Sequence, residues 1–187
     1  MDTMRRRAFM QGAAVGALAF TVDGVEQFLL PSEARAQGAA LKTLTADEAR
    51  RLEAVSETLV PGAREAGVAY FVDQQCSVPA HEALLNIRIT NVRPPFVNFF
   101  RAALTEIDRQ CNAKHGKPFA DLAAGEQHDF INIMRQGKHP EWKGPPAQPA
   151  IYGAFRANAV DVVYGTVEGT EKLGVPYMAL VAPKARW

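Results

Sequence analysis

The chain has 187 residues, 48% of them hydrophobic, and a formal net charge of +1. That length suits one globular domain with its own core. The near-neutral balance leaves no basic excess to neutralise phosphates, so nucleic acid is not an expected partner, and no run of about 20 uninterrupted apolar residues argues for a membrane span.

The N-terminus reads as an address. Arg5-Arg6-Arg7-Ala8-Phe9-Met10-Gln11 precedes a mildly apolar stretch from Gly12 to Val22. Arg6 and Arg7, one spacer, then Phe9 and Met10 resemble the twin-arginine export signal, which is read by a receptor and is not an anchor. The stretch is too short and too rich in Gly and Ala for a transmembrane helix. Ala34-Arg35-Ala36 before Gln37 has the small-x-small form of a signal-peptidase site, with Pro31 just upstream. Asp23 and Glu26 interrupt the apolar region, and the site stands rather far from it. This reading divides the chain into a twin-arginine signal peptide over 1–36 and a single helical domain over 37–187. The first part holds four arginines against four carboxylates, so the remainder keeps the net charge. The twin-arginine route carries proteins already folded. A chain with no cofactor motif has little need of it, so the need belongs to something travelling with it.

The domain reads as all-α, a small irregular helical bundle with a Gly/Pro-rich C-terminal tail. Thr45-Ala46-Asp47-Glu48 is a capping box, with Leu44 in the staple position. Ala49, Leu52, Val55 and Leu59 then share a helix face, and Pro61-Gly62 ends it. A second helix, about 65–75, turns Val68, Phe71 and Val72 inward. Pro79 can start a third, through Leu84, Leu85 and Ile87. Pro95 suits the first turn of a long helix with a stripe of Phe96, Phe99, Phe100, Ala103, Leu104, Ile107 and Cys111, ended by Gly116. Another helix, about 126–135, carries Phe130, Ile131 and Met134 and closes at Gly137. Residues 144–149 read as a loop, and a last helix runs over about 150–164. After Gly165, repeated Gly and Pro predict irregular chain. No alternating strand pattern of useful length stands out.

The expected chemistry is sparse. There is no Cys-x-x-Cys-His for covalent haem, no dinucleotide fingerprint and no P-loop. His81, His115, His128 and His139 share no metal-site spacing, and no serine lies in a nucleophile elbow. We expect no catalytic, cofactor-binding or metal-binding residues. An enzymatic rival would draw on Asp73, His81 and Glu82, whose spacing gives it no support. A second rival is a standalone exported helical protein binding a metal or haem. Cys76 and Cys111 are the only cysteines. They can form a disulfide in an exported chain or remain two buried thiols, and zinc held with two distant histidines is a weaker option. Trp142, Tyr164, Tyr177, Met178 and Trp187 fall in Gly- and Pro-broken chain, where such residues either plug a core or contact a partner.

Several segments, in order, carry a resemblance. Leu44-Thr45-x-x-Glu48-x-x-x-Leu52-x-Ala54 is followed by Thr58-Leu59-Val60-Pro61-Gly62-Ala63, Ala66-Gly67-Val68 and Phe71-Val72-Asp73. Gly116-Lys117-Pro118-Phe119-Ala120-x-Leu122, Gly125-Glu126-Gln127 and Tyr164-Gly165 come next. Together they resemble the gluconate 2-dehydrogenase subunit 3 family, while residues 166–183 depart from its commoner form. The resemblance implies a non-catalytic small subunit of a membrane-associated periplasmic dehydrogenase for a sugar or polyol. Its large partner would be an FAD-binding flavoprotein of the glucose-methanol-choline type, which the small subunit stabilises and carries through export. A multihaem cytochrome c would supply haem c in a third subunit. On this reading the chain binds no cofactor itself, resides in the periplasm and meets the membrane only through the complex.

Overall fold

The computed structural model describes residues 17–175. Arg6, Arg7 and Phe9 of the export motif, and Tyr177, Met178 and Trp187 of the tail, lie outside the described residues. The elements in chain order are β1 (Leu18–Val22), β2 (Val25–Leu29), α1 (Pro31–Ala36), α2 (Ala46–Leu59), α3 (Val68–Ser77), α4 (Val97–His115), α5 (Ala124–Arg135), α6 (Gln148–Tyr164) and α7 (Val167–Lys172), with short 3-10 turns at Asn86–Ile89 and Phe119–Asp121. The fold is mostly helical, as the sequence predicts.

Helix α2 is the hub. Its start is built as expected: Glu48 N donates to Thr45 Oγ1 at 3.1 Å, and Thr45 N donates back to Glu48 Oε2 at 2.8 Å. The other Glu48 oxygen accepts Arg101 Nε at 2.8 Å, which ties α4 to the same turn. Arg51 joins α2 to α4 again through Asp108 at 3.1 Å. Leu52 and Val55 of α2 are fully buried with Val68 and Val72 of α3, Phe100, Leu104 and Ile107 of α4, Met134 of α5, and Ile151 and Phe155 of α6. The Phe100 and Phe155 rings pack with centroids 5.6 Å apart. Burying each such side chain contributes about 1.5–3 kcal/mol, so this stripe-to-stripe contact is the principal source of stability.

The loop before α2 is held by one carboxylate. Asp73 of α3 is 2% exposed and accepts the backbone N–H groups of Lys42, Thr43 and Leu44 at 2.7–2.8 Å, together with the Thr43 hydroxyl at 2.9 Å. Buried polar groups need such partners, and here they fix where the chain enters the bundle.

Three regions differ from the sequence reading. Residues 18–29 form an antiparallel β-hairpin, with Val22 opposite Val25, where no strand is expected from the sequence. Its Asp23-Gly24 turn has φ of 49° and 78°, and a two-residue hairpin turn of type I′ requires positive φ at both positions. The two acidic residues that interrupt the apolar stretch are therefore a turn residue and a strand residue. Residues 79–90 are turns and a 3-10 segment in place of the helix expected from Pro79. Ala83, Leu85 and Ile87 are buried while Leu84, Asn86 and Arg88 are exposed, an alternation that gives no continuous apolar stripe for an α-helix. After Gly165 the chain makes a further helix, α7, capped where Gly169 N donates to Thr166 Oγ1 at 3.0 Å.

The hairpin and α1 form an annex beside the bundle. Phe20, Val22, Leu29, Ala34 and Ala39 make a second small core, covered in part by Leu18 and by Tyr70 of α3. Gly67, at φ 79°, lets α3 approach so closely that a Cβ there would overlap the Pro31 carbonyl. Helix α1 ends in a Schellman arrangement: Ala39 N donates to Ala34 O at 2.9 Å and Gly38 N to Arg35 O at 3.1 Å, with Gly38 at φ 64°.

Candidate functional site

Where the annex meets the C-terminal end of α6, two adjoining cavities of about 350 and 620 Å³ form one groove. Both share Leu30, Ser32, Ala66, Val162 and Thr166 in their walls. The first adds Ala17, Leu18, Pro31, Phe71 and Leu84; the second adds Pro61, Tyr164, Gly169 and Leu173. Leu84 and Leu173 stand at its ends with 63% and 55% of their surface exposed. Exposed apolar side chains that rim a groove mark an interaction surface more often than a catalytic one.

The groove contains little polar chemistry. Asp161 lines it, and partial desolvation of its carboxyl, on a residue that is itself exposed, shifts it above the ordinary carboxylate range. It has no partner group set up as nucleophile, base or electrophile. Lys172 and Glu65 flank the wider cavity, and Glu65 pairs with Arg35 of α1 at 3.2 Å.

The sequence candidates separate in space. Tyr164 is half-buried and lines the groove. Trp142 is half-buried at another face, where its Nε1 donates to Pro146 O at 3.0 Å. There it stacks beyond His139, whose ring lies 3.9 Å from Phe130 and 6.0 Å from Trp142. His139 Nε2 also bonds with Phe130 O at 2.9 Å, and burial lowers its basicity. Gln148 clamps the same loop, accepting from His139 N and donating to His139 O, both at 3.0 Å. This set is a plug between α5 and α6.

Asp73, His81 and Glu82 do not converge: Asp73 is buried against the chain before α2, whereas the side chains of His81 and Glu82 are 82% and 60% exposed. Among the described residues no cluster of three or more His, Cys, Asp or Glu side chains could hold a metal ion, and no helix is long and apolar enough to cross a membrane. Cys76 and Cys111 are both free thiols, Cys111 buried and Cys76 half-buried. Burial pushes each thiol up to about 12, so neither is a ready nucleophile. Ala34 and Ala36 of the small-x-small motif sit in the last turn of α1.

Sequence reasoning missed the groove because its walls come from chain stretches far apart, and single residues such as Pro31, Ala66 and Val162 carry no motif. Asp161 was the one available signal, a lone carboxyl in the otherwise apolar run of α6.

Residues 46–181 match the family described as gluconate 2-dehydrogenase subunit 3. No curated protein and no solved structure matches the chain. The hairpin and α1 lie ahead of the matched residues.

Proposed function

The chain belongs to the gluconate 2-dehydrogenase subunit 3 family, and from that premise we propose that it is the non-catalytic helper subunit of a periplasmic dehydrogenase acting on a sugar or polyol. Family membership makes it one subunit of a multi-subunit dehydrogenase. The proposal adds the partners: an FAD-binding large subunit of the glucose-methanol-choline type, and a multihaem cytochrome c as a third subunit, with the chain meeting the membrane only through the complex. The helper binds the large subunit's folded form and stabilises it by mass action, since a ligand of the native state alone shifts the folding equilibrium toward it. It also lends that subunit its twin-arginine address at Arg6 and Arg7.

The observation that carries the reading is the family match, which spans most of the bundle. The apolar groove, with Leu84 and Leu173 at its ends, supports it by offering a surface suited to a protein contact. Affinity capture of the tagged full chain from its host, read by mass spectrometry and by flavin and haem absorbance, tests it. A coloured complex containing a large flavoprotein is the expected result. A colourless chain recovered alone, with the flavoprotein stable and exported in its absence, would overturn it.

A further inference from the structure

We propose that the exported protein keeps residues 18–36: the bond after Ala36 is not cut, and the hairpin and α1 remain a working part of the mature subunit. This rests on the export reading above, because the twin-arginine route delivers a chain that has folded before it crosses.

A peptidase that reads small side chains needs an extended, accessible strand around the scissile bond. The Ala36–Gln37 bond instead lies inside the hydrogen-bonded end of α1. Ala34 N donates to Leu30 O and Gln37 N to Glu33 O, both at 2.9 Å, and the Gly38 and Ala39 amides close the turn over Arg35 and Ala34. Ala34, the residue such a peptidase would have to pocket, is 0% exposed. Opening this site means unwinding α1 and emptying the second core.

The surrounding structure is built for α1 to stay. Gly67 adopts φ 79° at the one place where the Pro31 carbonyl comes too near for a Cβ. Ala40 N, beyond the proposed cut, donates to Thr21 O of β1 at 2.8 Å, so the chain after α1 is bound to the strand before it. Glu53 of α2 is raised by burial, and Arg35 at 3.8 Å is the foremost charge opposing that shift. Loss of residues 1–36 would leave Glu53 with Arg64 alone, uncover Tyr70 and Ala39, and remove Leu18, Leu30, Pro31 and Ser32 from the groove wall.

The test uses the full chain with a C-terminal tag, expressed in its host and fractionated. Trypsin cuts after Arg35 and Lys42, so the peptide 36–42 survives only if the Ala36–Gln37 bond is intact. We expect this peptide in the exported pool, with an intact mass that places the N-terminus at or before Leu18. An exported pool that begins at Gln37 overturns the proposal. A chain confined to the cytoplasm, or one whose export is unchanged by the paired substitution R6K/R7K, refutes the export reading instead. Hydrogen exchange on the purified full chain then judges the fold independently. The amides of Gly38, Ala39 and Ala40 should be protected at least about 100-fold over an unfolded peptide, as for other locally cooperative units; exchange at the unfolded rate overturns the proposal whichever way export turns out.

Discussion

The bundle and the annex solve the same problem with different means. In the bundle, stripes from α2 to α6 bring together large side chains such as Phe100, Phe119, Phe155 and Met134, and the core is continuous. In the annex, five residues make the core and two are alanines. A cluster that small cannot offset its own conformational entropy. It is held by its fit to the bundle through Gly67 and Tyr70. Stability in the first region is volume; in the second it is the shape of one joint.

That contrast can be broken from the bundle side first. Asp73→Ala leaves the backbone N–H groups of Lys42, Thr43 and Leu44 without their acceptor. Leu44 N is the fully buried one of the three, and an orphaned buried donor costs about 1–3 kcal/mol, so with the two half-buried donors the loss should come to about 3 kcal/mol, measured by denaturant unfolding. Gly67→Ala attacks the joint. A residue forced to positive φ costs about 1–3 kcal/mol, and its Cβ also meets the Pro31 carbonyl. Hydrogen exchange should show residues 18–40 losing protection while the amides of α2 and α6 keep theirs; uniform loss would mean that annex and bundle are one cooperative unit.

Acid provides a milder probe confined to the bundle. Glu106 accepts both Arg109 Nε and Nη2 at 2.6–2.7 Å and Lys143 N at 2.9 Å. The Arg109 hydrogen bonds lead the causes that hold its carboxyl well below the usual range, at about 2. An unfolded glutamate titrates near about 4.3, so the folded state binds fewer protons and this stabilisation is complete above that value. It is lost as pH falls from there toward 2. Glu106→Gln should therefore flatten the fall in stability across that window and leave the slope near pH 7 unchanged. The smallest effect belongs to Arg35→Ala, whose nearer partner Glu65 is 78% exposed and whose other partner, Glu53, stands 3.8 Å away and keeps Arg64. Pairs of this kind contribute about 0–1 kcal/mol, and the melting temperature should barely move.

The bundle was legible because its signals are local. Thr45 and Glu48 announce a helix start within four residues, and Gly116 and Gly137 end their helices at φ 69° as their positions suggest. Residues 79–90 differ because Pro79 is a fair helix opener and Leu84 beside Leu85 suggests a helix face, which obscures the short apolar-polar alternation of Leu85-Asn86-Ile87-Arg88. The hairpin was misread for a different reason. Asp23-Gly24 between two apolar runs is a strong turn signal, but each run is only five residues long and both lie in a stretch whose composition also suits an export leader, so the strands do not stand out. The groove was beyond sequence reasoning, since Pro31, Ala66 and Val162 meet only through tertiary packing.

Gly169 sets a limit on how this surface can vary. A Cβ at that position would collide with the Val163 carbonyl and the Tyr164 Cα, so α7 lies against the end of α6 only because one methyl is missing. Since Gly169 and Leu173 belong to the groove wall, the width of the groove is governed by an absent atom. A library saturating the groove positions should tolerate many residues at Leu173, which stands at the rim. At Gly169 it should accept nothing larger than hydrogen without moving the wall itself, and the same holds at Gly165, where a Cβ would meet the Asp161 carbonyl, so diversity along this surface is expected to collapse at the two glycines where no ligand need touch.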